Sequence, residues 1–409
     1  MRRWLALRLF PGLPLTLLAS ALTLAHPAWS AGTGPIALGI LNDQSGPYAA
    51  IDGPGSVDAA RMAVEDFGGS VLGRKVEIVG ADHQNKADLG STIARKWFDV
   101  DGMTAIMDVA VSSVALAVQE IARERNKIVI YSGAGTSVLT GKACSPTSVH
   151  WTYDTYALTA GTSRALAQRG DKSWFFVTSD NAFGAALQND ATKALKAAGG
   201  SVLGTALHPA GMADFSSYVL QAQASPARIV ALANAGEDTM NAVKTGREFG
   251  LDKKQQMLGL LTLLPDVHGL GLEAAQGLLV TESFYWNADD QSRAFAKRFF
   301  ARNKSMPHMV PAGVYGSVLH YLKAVQAAGT TDTAAVMAAM KAMPINDIMT
   351  KNGRIREDGR VVREFHLYRV KSPAESREPW DYYTPVATIP AEDAVRPLSE
   401  SECPLVRKP

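Results

Sequence analysis

The residues best placed to do chemistry are hydroxyls and backbone amides in two short loops, Val111-Ser112-Ser113 and Ser132-Gly133-Ala134-Gly135-Thr136. Each follows an apolar run short enough to be a strand, and the first opens onto a helical pattern. Free N–H groups at a helix start, joined by serine or threonine hydroxyls, form a donor set for a carboxylate or another polar oxygen. For Ser112 alone a plain helix cap is an equally good reading, so the pair of loops says more than either one. A phosphate cradle needs a lysine and a fuller glycine spacing, which the second loop lacks.

No catalytic constellation stands beside these donors. The sequence has no GxSxG elbow, no Walker loop, no GxGxxG after its first strand, and neither HExxH nor CxxC. No serine, histidine and aspartate can be assembled into a triad from it. Binding without covalent chemistry is therefore expected, with no metal or cofactor. The histidines are dispersed and read as ordinary polar or partly buried residues; His150, beside Trp151, is the one worth watching. Cys144 and Cys403 are the only cysteines. In an oxidising compartment such a pair reads as a disulfide, here tying the C-terminal tail to a loop of the N-terminal half.

The N-terminus supplies the compartment. Arg2, Arg3 and Arg8 precede an apolar run from Leu13 to Leu24, and Ala28-Trp29-Ser30 places small residues where a signal peptidase reads them. Residues 1–30 read as a secretory signal peptide cut after Ser30. No cysteine stands at that point, so a lipid anchor is not supported. Beyond it no apolar stretch reaches spanning length, and a soluble, exported product is expected. Without the three leader arginines, 38 of the 41 basic residues remain against 39 acidic ones. That balance, with no basic cluster, argues against nucleic acid as a partner.

The donor loops must be held by a sheet. Strand patterns at residues 36–41, 76–79, 105–109 and 128–131 alternate with helical ones at 55–67, 87–98 and 113–124. A polar and aromatic loop, residues 145–154, separates this set from a second: strands at 173–178, 201–207, 228–233 and 256–261, with helices between. Repeated β-α units of this size predict parallel sheets covered on both faces, and the length calls for two domains. A short strand at 277–281 precedes helices at 290–302, 311–327 and 333–341. Residues 353–360 read as turns, 361–370 as one alternating strand, and 382–388 as a last strand.

In order and spacing these pieces resemble the solute-binding proteins of branched-chain amino acid ABC transporters. Ile36-Ala37-Leu38-Gly39-Ile40-Leu41 with Ser45-Gly46-Pro47 is similar to that family's opening strand and loop. Leu72-Gly73-Arg74-Lys75-Val76, Ser132 to Thr136, Ser179 to Gly184, Asp214-Phe215-Ser216 and Ala274 to Gly277 continue the match over residues 35–370. The resemblance implies an α/β type I periplasmic-binding fold: two similar parallel-sheet lobes, a hinge of three crossovers and a ligand cleft between the lobes. Lobe 1 would hold residues 31–154 and 284–355, lobe 2 residues 155–283 and 356–390, and residues 391–409 a tail. It further implies a periplasmic, monomeric protein that hands a small solute to an inner-membrane permease. A soluble ligand sensor is the alternative role.

Carried over by position, the ligand contacts fall on Tyr48, Ser112 or Ser113, Ala134 and Thr136 in the first lobe, with Asn234 and Thr262 marking the second. Trp151, Tyr153 and Phe183, together with Phe284, Tyr285 and Trp286, are candidates for the lining. The amino-acid binders of this family place an acid after the strand at residues 257–261, whereas this chain reads Gly259-Leu260-Leu261-Thr262-Leu263-Leu264. An ammonium buried without a partner costs several kcal/mol, roughly. The expected ligand is therefore a small aliphatic or aromatic carboxylate, with an amino acid or a small amide as the alternative. Asp154 or Glu237 would supply the acid in the amino-acid case.

Overall fold

The computed structural model describes residues 34–406; the expected leader and its cleavage after Ser30 lie outside them. The first half of the chain lays down β1 (Ile36–Asn42), β2 (Ser70–Val71), β3 (Arg74–Asp82), β4 (Ala105–Asp108), β5 (Ile128–Tyr131) and β6 (Ser148–His150). They form one sheet in the order β2-β3-β1-β4-β5-β6, parallel except for the β2–β3 hairpin. β4 and β5 are buried at every position, as apolar runs without alternation require when helices cover both faces. Gly39 of β1 is one of the positions where only glycine fits, because a Cβ there would stand 2.3 Å from the Trp97 ring.

The second sheet takes β7 (Ser173–Ser179), β8 (Ser201–His208), β9 (Ile229–Ala233), β10 (Gln256–Gly259) and β11 (Leu279–Glu282). After a two-stranded ribbon, β12 (Arg354–Ile355) with β13 (Val361–Val362), it is completed by β14 (Phe365–Val370) and β15 (Tyr383–Ile389). Its order is β15-β14-β11-β10-β9-β7-β8, with β14 and β15 antiparallel at one edge. Between β11 and β12 the helices Asp290–Asn303 and Met309–Ala328 return to pack on helix Pro54–Phe67 of the first lobe. The chain thus passes between the two lobes three times: after β6, after β11, and through the ribbon into β14.

The first and third passages are locked together. Asp154 caps helix Thr155–Gln168 by accepting from the Ala157 amide (2.7 Å), and its second oxygen pairs with Arg360 Nε at 3.0 Å. Arg360 is buried and donates to the His150 carbonyl (3.0 Å), while the His150 amide donates to the Gly359 carbonyl. Asp154 is therefore occupied in the hinge and does not line the cleft.

Several expectations need correction. Residues 145–154 are not all loop: Ser148-Val149-His150 adds a sixth strand by pairing with β5. Residues 361–370 do not form one strand, since the chain breaks at Arg363-Glu364 and joins two different sheets. Residues 353–360 hold β12 in addition to a turn. β10 stops at Gly259, because Pro265 in the first turn and Asp266, whose carboxylate accepts the Leu263 amide (2.9 Å), start helix Leu264–Leu270.

Beyond β15 the tail runs back over both lobes. Asp393 pairs with Arg164 (2.7 Å) and Arg396 with Asp190 (2.7 Å), both on helices of the second lobe. Cys403 then joins Cys144 of the first lobe in a disulfide, with Cα atoms 5.6 Å apart.

Candidate functional site

In an open α/β sheet the loops diverge where strand order reverses, and a crevice opens at the carboxyl ends of the two strands concerned. In the first lobe that point lies between β1 and β4, in the second between β7 and β9. A cavity of about 360 Å³ is built from both. The first lobe contributes Tyr48 and Asp52 from the loop after β1, Ser112 and Ser113 after β4, and Gly133 and Gly135 after β5. The second contributes Phe183 after β7, Gly211 after β8, Glu237 and Asp238 after β9, and Leu261 after β10; Tyr153, at the first passage, lines the cavity as well.

One wall is a donor surface. Helix Ser112–Glu124 begins at the cavity, and the Ser112 hydroxyl is buried with no hydrogen-bond partner. The backbone leading to it is unusual: Asp108, Val109 and Val111 all have positive φ, at 75°, 43° and 63°. Non-glycine residues rarely adopt such angles, and sites that bind ligands are where they collect. Beside them the Tyr153 hydroxyl donates to the Gly133 carbonyl at 2.6 Å. Burial pushes the Tyr153 phenol well up, so it remains a neutral donor.

Close approach of the lobes is written in two glycines. A Cβ on Gly135 of the first lobe would lie 2.6 Å from the Phe183 ring of the second. Gly236 of the second lobe, at φ 59°, lies against the Pro47 carbonyl and the Tyr48 ring of the first. Side chains at either position would hold the walls apart.

The same cavity carries carboxyl groups. Asp52 is buried, and its Oδ1 has no partner. Burial first, then the neighbouring Asp108 charge and that of Asp43, push the Asp52 carboxyl well above the usual carboxylate range. Burial likewise raises Asp108, to about 7. Asn42 ties the two together, donating to Asp108 Oδ2 (3.0 Å) and to the carbonyls of Asp52 and Gly53. From the second lobe, Asp238 is buried and engaged by the Gly211 and Met212 amides (3.1 and 2.9 Å), and Glu237 is exposed in the first turn of helix Glu237–Glu248. Burial, followed by the charges of Asp238, Asp43 and Asp52, pushes the Tyr48 phenol up to about 12.

Of the residues expected from the sequence, Tyr48, Ser112, Ser113, Tyr153 and Phe183 line this cavity; Ala134, Thr136, Trp151, Asn234 and Thr262 do not. Thr136 caps the short helix Ser137–Thr140, and the Ala134 carbonyl accepts from His150 Nε2 at 2.7 Å. Burial and the Arg360 charge lower His150 to about 4, so it is neutral and structural. Trp151 is enclosed against His320 and under the Arg363 guanidinium. Asn234 bonds His208 and Thr239, and Thr262 is buried against Gly259. Phe284, Tyr285 and Trp286 belong to the core: Phe284 packs on Phe295, Tyr285 on Tyr383, and the Trp286 Nε1 donates to the Trp380 carbonyl. Asp52 and Asp238 were missed. The signal for Asp238 was its place in a helix's first turn after a strand, the same signal that marks Ser112.

Residues 35–376 match the periplasmic binding protein family. A periplasmic binding protein from Burkholderia mallei is 49% identical, with 92% of this chain and all of that chain covered and a TM-score of 0.89. A branched chain amino acid ABC transporter periplasmic ligand-binding protein from Burkholderia xenovorans is 40% identical, over 91% of this chain and all of that one, with a TM-score of 0.84. An amino acid ABC transporter substrate-binding protein from Pseudomonas fluorescens shares the fold at 23% identity, a TM-score of 0.82, 90% of this chain and 98% of that chain. No curated protein matches.

Proposed function

The chain belongs to the periplasmic binding protein family, and on that premise we propose that the solute it captures for its ABC permease is a small α-amino acid. The capture itself is non-covalent: the two lobes close on a small molecule in the cleft and present it to the membrane component. The amino-acid reading rests on one observation. Donors of a helix start, with the Ser112 and Ser113 hydroxyls, share a 360 Å³ cavity with the carboxyl groups of Asp52, Glu237 and Asp238. A zwitterion needs both kinds of partner. The sequence argument for a plain carboxylate was the missing acid after β10, where Leu261 indeed lines the cavity; two other loops, after β1 and after β9, supply acids in its place. The branched-chain amino acid relative, at 40% identity, supports the same reading.

The test is a thermal-shift series on the mature protein, pairing L-leucine, L-valine and L-phenylalanine with their deaminated counterparts. A ligand at 100 times its Kd stabilises the folded state by about 2.7 kcal/mol. Stabilisation by the amino acids but not by their deaminated partners is expected. The opposite ranking would return the reading to an organic acid.

A further inference from the structure

The buried carboxyl pair beneath the first-lobe wall meets hydrogen-bond donors but no cation: Asn42 donates to Asp108 Oδ2 and backbone amides face Asp52, while no basic side chain acts on either. Asp52 is 2% exposed and Asp108 fully buried, and each keeps one oxygen, Oδ1, without a hydrogen bond. Both reach the same spot: a Cβ on Gly133 would lie 3.0 Å from Asp52 Oδ2 and 3.1 Å from Asp108 Oδ1. The charges acting on Asp52, those of Asp108 and Asp43, are both acidic. Asp43 is satisfied by the Gly46 and Tyr48 amides and by Asn85 Nδ2. The phenols nearby, Tyr48 and Tyr153, stay neutral. Burying an unpaired carboxyl costs free energy unless something meets it. Asp52 lines the cavity alongside the equally unpartnered Ser112 hydroxyl, whereas Asp108 stands behind it.

We infer that Asp52, in the first lobe, receives the solute's ammonium group, in place of the second-lobe acid that the family resemblance led one to expect. This deepens the amino-acid reading and rests on it. A proton balance follows. In the empty cleft the carboxyl pair shares a proton, because two charges so close and so buried cannot both be ionised. When the ammonium arrives against Asp52, its positive charge lets both carboxyls of the pair ionise, and the shared proton leaves to solvent. Binding therefore releases up to one proton, and affinity rises with pH through the neutral range.

The experiment is calorimetry of the oxidised, mature protein with L-leucine, 4-methylpentanoate and 3-methylbutylamine, at pH 7 in buffers of different ionisation enthalpy. For L-leucine on the wild type, release of on the order of half a proton or more is expected. Asp52→Asn should bind L-leucine 10- to 100-fold more weakly, roughly, and release no proton. Asp108→Asn should keep the affinity and release less. L-leucine bound without proton release by the wild type, or equally tightly by Asp52→Asn, overturns the assignment of Asp52 and leaves the amino-acid reading standing. Binding of the amine but not of L-leucine, with loss of both binding and proton release in Asp52→Asn, supports Asp52 and sinks the amino-acid reading. Binding of 4-methylpentanoate alone overturns both. The wild-type proton count needs no variant, so a misfolded Asp52→Asn would still leave the inference decided.

Discussion

Gly135 shows how much can hang on one missing methyl group. A Cβ there would stand 2.6 Å from Phe183 and 3.0 Å from Tyr153, across the cleft from one and at its floor with the other. Overpacking of this kind costs about 1–3 kcal/mol. Gly135→Ala is expected to place that cost on the closed state, weakening solute affinity by roughly tenfold or more while leaving the ligand-free melting temperature nearly unchanged. A fall in stability equal to the fall in affinity would show that the residue matters to folding and not to closure. At this scale Ser112 and Ser113 carried a local signal, a hydroxyl at a helix start, whereas Tyr48 came only from its position in the family resemblance. Asp52 was not legible. Its meaning depends on Asp108, which reaches it only because β4 lies beside β1 with Asp108 opposite Leu41. The aromatic run at residues 284–286 misled for a related reason, since nothing local says whether a ring faces a cavity or Trp380.

Elements carry two further expectations. The buried Arg360–Asp154 pair joins the passage after β6 to the one before β14. Burial lowers the Arg360 pKa, chiefly opposed by the Asp154 charge. Removing one partner of a buried pair strands the other, at a cost of about 3–5 kcal/mol. Asp154→Asn, which keeps an oxygen for the helix cap, should lose that much in urea unfolding; a loss under 1 kcal/mol, roughly, would mean the hinge is held by other contacts. Glu282, at the end of β11, gives a pH signature. It is fully buried, accepts from the Tyr383 hydroxyl at 2.9 Å, and burial raises it to about 8. A raised carboxyl binds its proton more tightly folded than unfolded, so its contribution is complete below the unfolded pKa and fades as pH climbs through 8. The melting temperature of Glu282→Gln relative to wild type should therefore rise between pH 5 and pH 8.5; a constant difference would place Glu282 ionised in the fold. Element order was legible because apolar runs and helix periods alternate so regularly. β6 was not: three residues carry no period, and only pairing with Val129 to Tyr131 makes Ser148-Val149-His150 a strand.

The whole molecule is a hinged pair of sheets whose C-terminus does not end where the sheet does. Arg396 reaches Asp190 in the second lobe and lies over the Tyr156 ring, and Cys403 is bonded to Cys144 in the first. Replacing both cysteines by serine should lower stability by about 2–5 kcal/mol. It should also widen the range of lobe openings seen by solution scattering. Unchanged scattering would show that the three backbone passages alone set that range.

The disulfide spans 259 positions of sequence, from Cys144 to Cys403, and every strand of the second sheet falls between them. The second lobe therefore lies within a closed covalent ring, which also takes in the helices Asp290–Asn303 and Met309–Ala328 that pack on the first lobe. A protease that cuts any one loop from β7 to β15 opens the ring without freeing a fragment. Such a clipped molecule should migrate as one species until reductant is added and then fall into two. In a compartment shared with proteases, the bond at the far end of the chain lets a damaged binding protein stay in one piece.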